Sequence, residues 1–518
     1  MEYVVNALGK KLPKFIEGYG EVKPYIGDFK EEVNPTGRIH GPLKSYSVKS
    51  QDKLLKTIKE AIEKVGLKDG MTVSFHHHLR GGDYVLNMVM NEIAALGIKD
   101  IKVFSSSLTG AHEPLLEHVK SGVVSGICTS GLRGALGKET SINNVVGKPI
   151  VFRSHGGRAR AIESGDEKID VAFIAAPACD NQGNMNGREG KSSFGAMGYA
   201  MVDAQYADKV VAITDNLVAY PLYPASINQT LVDCVVVVDE IGDPSKISTG
   251  ATRLTKSPTE LLIAEYAAEV LKASGLVKEG FSFQAGSGGA SLAVARFLRE
   301  YMLENNIVGS FASGGITSTL VDFLEEGLFK TLLDTQTFDA AAAGSMKRNP
   351  NHIEMSASMY ANPHNKGCVA HQLDIMMLSA TEIDVNFNVN VLTGSTGLIM
   401  GAIGGHPDTA AGAKLTVAVA PLIRKRIPII VDNVTTVITP GDNIDVVVTE
   451  RGVAVNPKRK DLLEKLKETK LPLIDIEELK NLAESFTGNP EKVEFSDEIV
   501  GVVEYRDGTV IDLVYKVK

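Results

Sequence analysis

The stretch TVSFHHHLRGGDYVLNMVMNEIAAL (72–96) predicts a strand, a turn and a helix in direct succession. Thr72–Phe75 reads as a short strand, Gly81-Gly82 follows, and Tyr84–Leu96 carries apolar residues at helical spacing. The same succession recurs in FSFQAGSGGASLAVARFLREYM (281–302), which predicts a strand, a glycine-rich turn and a helix. Two copies separated by about 210 residues indicate an internal repeat.

Further pairs of segments continue the match in the same order along the chain. They are IKVFSSSLTG (101–110) with IVGSFASGG (307–315), IDVAF (169–173) with IDVNF (383–387), ITDNLV (213–218) with IVDNVTTV (430–437), and VDCVVVVDE (232–240) with IDVVVTE (444–450). Each half alternates short β-branched strands with helical segments, which predicts two tandem, similar α/β domains with mainly parallel sheets covered by helices. Ligands in such sheets bind at the carboxyl ends of strands, so we expect one cleft between the halves.

The repeat divides the chain into three parts. Residues 1–50 precede it and are predicted to form an arm that wraps the domains, residues 51–250 form the first domain, and residues 251–518 form the second. The segment 246–258 is a plausible linker. Residues 462–482 predict amphipathic helices, and the tail from Val493 to Lys518 predicts a closing hairpin with Asp507-Gly508 in its turn. We assign both features to the second domain.

The composition excludes several classes of protein. The chain has 518 residues, 44% hydrophobic and 23% charged, with a formal net charge of −9, which disfavours nucleic acid as a partner. No apolar run reaches the ~20 residues that span a bilayer, and the N-terminus lacks the apolar core of a secretory signal. The four cysteines form no C-x-x-C pair, so we expect reduced thiols in the cytoplasm and no zinc ribbon.

Glycine-rich and histidine-rich turns are the first candidate sites. In the turn Gly286-Ser287-Gly288-Gly289 the backbone amides can approach an anion closely at a helix start, which favours phosphate or thioester binding over a turn that is merely tight. The position after it that a dinucleotide fingerprint would fill with glycine is Ser291, so a dinucleotide site is disfavoured. His76-His77-His78 and Arg80 follow the first strand, where they line an anionic substrate site or serve as structural residues. Two of these histidines could also hold a metal, but no third ligand is evident and we predict no metal.

Two further turns carry possible substrate contacts. His155, Arg158 and Arg160 lie in a cationic, glycine-containing turn whose arginine forks suit a polycarboxylate, although a solvated surface loop fits the sequence nearly as well. Gly404-Gly405 lies at the end of GLIMGAIGG (397–405), where paired amides could stabilise a tetrahedral oxyanion, the alternative being a close crossing of backbones.

These segments resemble the CoA-transferase superfamily. The strings IDVNFNVNVLTGSTGLIMGAIGGHPDTA (383–410) and IDVVVTERGVA (444–454) are similar to the second-domain pattern of acetate and hydroxybutyrate CoA-transferases. A closer resemblance, to the α subunits of citrate lyase, covers nearly the full length and includes GRIHGPLKS (37–45), HHHLRGGD (76–83) and CDNQGNMNGREGKSSFGAMGYAMVDAQYAD (179–208). It implies two CoA-transferase-like domains.

The resemblance also implies an activity and its partners. The expected reaction exchanges acetate for citrate on the thioester of a small acyl carrier (γ) subunit, and a lyase (β) subunit then cleaves the citryl thioester. The chain itself would bind no cofactor, since a CoA-derived prosthetic group belongs to the carrier, and acyl-CoA could replace the carrier thioester. We also expect an oligomer. The residues assigned on this basis are Arg80, His78, His155 and Arg158 for citrate; Gly286, Ser287, Gly288, Gly289, Asn388 and Gly397 for the thioester; and Gly404, Gly405 and Gly314 for catalysis.

One departure from the superfamily bears on mechanism. Its covalent members carry a nucleophilic glutamate where GSFASGG (309–315) places Gly314. Without that carboxylate, direct attack by citrate through a mixed anhydride is expected instead of an enzyme thioester. The alternatives are a ping-pong CoA-transferase that uses another glutamate (Glu354, Glu382 or Glu450) on a smaller acid, and a scaffold subunit without activity.

Overall fold

The computed structural model describes residues 2–28, 41, 52–248, 255–286, 288–489 and 492–518. Most of the arm segment 37–45, the middle of the predicted linker and Ser287 lie outside the described residues.

The first domain follows four short strands of the N-terminal arm. The arm strands are β1 (Tyr3–Val5), β2 (Lys11–Pro13), β3 (Phe15–Ile16) and β4 (Gly20–Glu21). The strands of the first half are β5 (Leu54–Leu55), β6 (Thr72–Phe75), β7 (Ile101–Ser105), β8 (Val124–Thr129), β9 (Ile150–Phe152), β10 (Val171–Ala176), β11 (Ala178–Asp180), β12 (Met185–Asn186), β13 (Lys209–Thr214), β14 (Leu217–Val218) and β15 (Cys234–Val237). Its helices are α1 (Ile58–Val65), α2 (Val85–Ala95), α3 (Leu115–Lys120), α4 (Gly134–Asn143), α5 (His155–Ser164) and α6 (Gly198–Tyr206).

The second half repeats this alternation and ends in a hairpin. Its strands are β16 (Ser282–Ala285), β17 (Gly309–Ile316), β18 (Phe329–Thr337), β19 (His352–Glu354), β20 (Ile375–Ser379), β21 (Glu382–Asp384), β22 (Val389–Asn390), β23 (Leu415–Val419), β24 (Ile423–Arg424), β25 (Ile427–Pro428), β26 (Ile430–Val431), β27 (Val446–Thr449) and β28 (Gly452–Val455), and the hairpin is β29 (Phe495–Glu504) and β30 (Val510–Val517). Its helices are α7 (Pro258–Ser274), α8 (Gly289–Glu304), α9 (Ser318–Glu325), α10 (Ala340–Arg348), α11 (Ala357–Ala361), α12 (His406–Gly412), α13 (Lys460–Leu466) and α14 (Ile476–Thr487).

The strand order confirms two similar domains. The first large sheet has the order β30-β29-β9-β8-β7-β6-β10-β13-β15-β5, and the second has β19-β18-β17-β16-β20-β23-β27-β28. The seven strands β9-β8-β7-β6-β10-β13-β15 are parallel, and β19-β18-β17-β16-β20-β23-β27 repeat their order and direction. Two three-stranded sheets, β12-β11-β14 and β22-β21-β26, repeat as well.

Two of the sequence matches between the halves are wrong in register. Segment 169–173 enters β10, whose counterpart is β20, whereas segment 383–387 begins in β21, the counterpart of β11. Similarly, Ile213-Thr214 ends β13, whereas Ile430–Val431 forms β26, the counterpart of β14. Neighbouring buried parallel strands share one apolar composition, so a local sequence match does not distinguish them.

The C-terminal hairpin belongs to the first sheet, not to the second domain as the sequence predicted. Strand β29 runs parallel to β9, with Gly501 opposite Ile150, and β30 closes the sheet edge with Asp507-Gly508 in the turn. The described part of the arm packs on this hairpin through a small core of Leu12, Ile16, Val22, Val502, Val510 and Leu513. Both chain ends therefore stabilise the first domain. Across the described ranges, no helix has the length and apolar character required to cross a membrane.

Candidate active site

A buried ion-pair network lies just beyond the end of β6. Because the parallel strand ends here, His76 reaches across to α6 and its Nε2 lies 2.8 Å from Oδ2 of Asp203. Arg158 on α5 donates from both terminal nitrogens to the same carboxylate, at 2.6 Å each. The fork that the sequence assigned to citrate is thus engaged by Asp203, which favours a positioning role for Arg158.

The ring of Tyr199 packs against three histidines next to this network. Its ring centroid lies 5.4 Å from that of His77, 5.5 Å from His78 and 4.5 Å from His155. Its hydroxyl donates to Oε1 of Gln336 at 3.1 Å, and Nε2 of Gln336 donates to the carbonyl of His77 at 3.0 Å. Gln336 is the penultimate residue of β18, so the second domain contacts the first domain's histidines directly.

The histidines of this cluster are neutral. Burial, reinforced by Arg158 and Arg80, lowers the pKa of His155 to about 3, and burial holds the pKa of His78 well below its usual range. Among the described residues, both ring nitrogens of His78 and Nδ1 of His155 lack a hydrogen-bond partner. Burial lowers the pKa of Arg80 only to about 10, so this guanidinium, 4.5 Å above the ring of Phe338, stays charged. An imidazole N–H without a partner beside the Arg80 guanidinium suits an anionic, oxygen-rich ligand.

Gly404 and Gly405 of the second domain, which the sequence predicted to act in catalysis, lie next to this cluster. The amide of His155 donates to the carbonyl of Gly404 at 2.9 Å. Gly404 has φ +58°, a left-handed conformation that suits glycine. The amide N–H groups of Gly404 and Gly405 donate to no described residue. Two adjacent unpaired amides fit the predicted oxyanion role.

In the first domain, the helix start that corresponds to that of α12 has its amides hydrogen-bonded. Helix α6 begins one residue after Met197, as α12 begins one residue after Gly405. The amide of Met197 donates to Oε1 of Glu354 at 2.5 Å, and that of Ala196 donates to Oγ1 of Thr337 at 3.0 Å. Of the two equivalent sites, only the one at α12 keeps its amides available within the described parts of the chain.

Asp408 fixes the segment that carries His155. Its carboxylate accepts from the hydroxyl of Ser154 at 2.7 Å and from the amide of Gly156 at 2.9 Å. Nε of the buried Arg506, from the hairpin turn, lies 3.8 Å away. Burial raises the pKa of Asp408 to about 6.

The position of Gly314 is filled by an amide side chain. Gly314 has φ +99° and lies at a register shift between β17 and β18. A methyl carbon added there would lie 2.6 Å from Cδ of Gln284, so a larger residue at 314 requires the Gln284 side chain to move. Gln284 is held by the hydroxyl of Ser313, which donates to Oε1 at 2.9 Å, and donates from Nε2 to the hydroxyl of Tyr360 at 2.8 Å.

The alternative glutamate nucleophiles are engaged elsewhere. Glu354 accepts from Ser226 and Met197, Glu382 from Asn390 and Thr435, and Glu450 from the amide of Leu422. Each carboxylate thus has a structural role. Among the described residues no group of three His, Cys, Asp or Glu side chains could hold a metal ion.

The glycine-rich turn lies near the start of α12, which follows Gly404 and Gly405. A methyl carbon at Gly288 would meet the side chain of Ser379, whose carbonyl lies 3.2 Å from Nε2 of His406. The carboxylate of Glu260 lies beside Gly289, which disfavours a phosphate at that amide.

Two residues predicted to bind the thioester have no described contact with the cluster. Asn388 donates to Asp384 at 3.0 Å and accepts from the amide of Gly441 at 2.9 Å. Gly397 packs against Phe495 of the hairpin. Their assignment therefore stays a prediction from the sequence.

Sequence reasoning missed Tyr199, Asp203, Gln284, Tyr360 and Asp408. Tyr199 and Asp203 lie within the quoted segment 179–208, so the resemblance could have pointed to them. Gln284 and Tyr360 belong to no spacing pattern, and only the fold brings them to Gly405.

The duplicated parallel-sheet domains define a protein of CoA-transferase-like architecture. A 4-hydroxybutyrate CoA-transferase from Porphyromonas gingivalis shares this fold, with a TM-score of 0.52 and 18% identity, over 80% of this chain and 94% of that one. Residues 51–517 match the family model described as citrate lyase, alpha subunit (CitF). The chain therefore belongs to the family of citrate lyase α subunits, and the resemblance drawn from the sequence is confirmed.

Two close relatives agree with this family. The chain is 56% identical to a citrate lyase alpha chain from Haemophilus influenzae over 466 residues, which cover 90% of this chain and 93% of the relative. It also superposes on a crystal structure described as an α subunit of citrate lyase from Streptococcus mutans in complex with citrate. The TM-score is 0.92 and the identity 54%, over 99% of this chain and 100% of that one.

Proposed function

We propose that this chain transfers citrate onto an acetylated thioester and releases acetate, as the α subunit of a citrate lyase complex. The thioester is carried by a small acyl carrier subunit, and a lyase subunit consumes the citryl thioester. The observation that carries this proposal is the pair of unpaired amides at Gly404 and Gly405, which face the neutral histidine cluster within a citrate lyase α-subunit fold.

The chemistry proceeds in two acyl transfers without an enzyme acyl intermediate. A carboxylate oxygen of citrate attacks the acetyl carbonyl carbon, the C–S bond breaks, and a thiolate and an acetyl–citryl mixed anhydride result. The thiolate then attacks the citryl carbonyl carbon, and the anhydride C–O bond breaks to release acetate. Gly314 supports this route because Gln284, not a carboxylate, fills the space beside it.

The residues divide into binding and stabilising groups. His78 and His155 donate ring N–H groups to citrate carboxylates, and Arg80 supplies the positive charge. The amides of Gly404 and Gly405 stabilise the oxyanion that forms at the carbonyl carbon. Arg158 orients the cluster through Asp203 and His76.

A single-turnover experiment with citrate labelled with ¹⁸O in its carboxylates tests this route. With enzyme in excess over acetyl thioester, direct attack places one citrate oxygen in the released acetate. A glutamyl-enzyme route would give unlabelled acetate in the first turnover and leave the label in an enzyme carboxylate. Failure of the purified chain to form any citryl thioester would favour a scaffold role.

A further inference from the structure

Tyr360 on α11 has a hydroxyl whose proton has no acceptor. The side chain is buried, and its oxygen accepts from Nε2 of Gln284 at 2.8 Å. An amide NH₂ group only donates, so the phenol oxygen is the acceptor in this bond and its own proton remains available. The hydroxyl donates to no other described residue.

Gln284 is hydrogen-bonded at both ends of its amide group. The hydroxyl of Ser313 donates to Oε1 of Gln284 at 2.9 Å, and the NH₂ group of Gln284 faces Tyr360. A buried donor without an acceptor is costly to a fold, so such a group at a functional cleft indicates a ligand atom.

The hydroxyl lies directly against the predicted oxyanion position. A methyl carbon added to Gly405 would lie 3.1 Å from Cζ of Tyr360 and closer still to its oxygen. The phenol therefore lies against Gly405, whose amide, like that of Gly404, is unpaired among the described residues. Burial raises the pKa of Tyr360 above its usual value, so the phenol keeps its proton at neutral pH.

We propose that Tyr360 is a catalytic residue whose hydroxyl donates a third hydrogen bond to the oxyanion, beside the amides of Gly404 and Gly405. This inference rests on the proposed function, because it assigns a role in the same acyl transfer. Gln284 is the positioning residue that directs the phenolic proton toward the substrate. A side-chain donor of this kind is strongest where water is excluded and the donor is already oriented.

The test compares Tyr360→Phe with Tyr25→Phe. Tyr25 is also buried, and its hydroxyl has no described partner, but it packs in the first-domain core against Tyr505. We expect Tyr360→Phe to lower kcat about 10²-fold with little change in the KM for the thioester, while Tyr25→Phe keeps the wild-type rate. Thermal melting checks that both variants are folded.

An independent readout is the carbonyl stretch of [1-¹³C]acetyl-CoA bound to the enzyme. A hydrogen bond lowers this frequency, so we expect a smaller downward shift in Tyr360→Phe than in the wild type. Substitution of 3-fluorotyrosine at position 360 keeps the side chain and gives a more acidic phenol, and it should enlarge the shift. An equal frequency in all three proteins would overturn the proposal. Since this readout needs no turnover, it decides the role of Tyr360 even if the wild type forms no citryl thioester, a result that would refute only the proposed function.

Discussion

Replacement of Gly405 by alanine tests the oxyanion site at its most crowded point. The added methyl carbon would lie 3.1 Å from Cζ and Cε1 of Tyr360 and closer to its hydroxyl, a separation that real Cβ atoms do not keep. Either the ring or the amide of residue 405 has to move by about 1 Å, and such a misplacement at a reacting centre costs roughly 10²-fold in rate. We therefore expect kcat to fall about 10²-fold, equivalent to about 2.7 kcal/mol of transition-state stabilisation.

The assay measures citryl thioester formation from acetyl thioester and citrate. Uniform loss of binding would raise the KM values, whereas loss of oxyanion stabilisation lowers kcat with nearly constant KM. Gly110→Ala is the matched control, because a methyl carbon there meets no atom within 4 Å. A folded Gly405→Ala enzyme with the kcat of Gly110→Ala would refute the assignment.

Three further predictions concern charge and mechanism. Arg158→Ala leaves the buried carboxylate of Asp203 without its bidentate partner, so we expect a loss of about 3–5 kcal/mol in the free energy of unfolding, measured by denaturant titration. Arg80→Met should instead raise the KM for citrate at unchanged stability. If Arg80→Met destabilised the fold and Arg158→Ala raised the KM for citrate, the two roles would be exchanged. Burial raises the pKa of Asp408 to about 6, so the folded state prefers the protonated carboxyl. The free energy of unfolding should therefore fall by about 3 kcal/mol as the pH rises from about 4 to 6. Asp408→Asn should flatten this pH dependence, and an unchanged slope would assign the pH dependence to another group. Because the pKa of His155 lies near 3, kcat should show no histidine titration between pH 6 and 8, and a limb near 6.5 that His155→Gln abolishes would contradict the neutral cluster.

The part of the fold that was predictable is the part encoded by short-range pattern. The succession of strand, glycine turn and helix at 72–96 and 281–302 predicted β6 with α2 and β16 with α8, because these elements form among neighbours in the chain. The hairpin was placed in the wrong domain because its pairing of Gly501 with Ile150 joins segments that share no local signal.

In the candidate site, too, residues marked by a local sequence pattern could be predicted, and residues brought together only by the fold could not. His78 could be proposed from the sequence because it follows the parallel strand β6, and a turn after such a strand is a known ligand position; Gly404 follows no parallel strand, and its proposed role came mainly from the resemblance. The engagement of Arg158 by Asp203 was not foreseen, since its fork looks equally suited to a substrate carboxylate until the fold supplies the partner. Tyr360 was not proposed from the sequence for a corresponding reason, because its proposed role rests on a hydroxyl without an acceptor, which only the fold shows.

The duplication explains why the proposed oxyanion site lies in only one half of the described chain. Both halves present a helix start at the same place in the fold, and each start would expose two amides. In the first half, side chains from the second domain, Glu354 and Thr337, close the amides before α6. In the second half, the partner from the first domain is the backbone of His155, which donates to the carbonyl of Gly404 and leaves the amides unpaired. Donors bonded to the protein stabilise the ground state, whereas unpaired donors can act on charge that develops in the transition state. Two domains with the same strand order can therefore have different roles. In the first, the amides before α6 are hydrogen-bonded and the segment holds Tyr199 in place against the histidines; in the second, the amides before α12 remain unpaired and can bind a substrate oxygen.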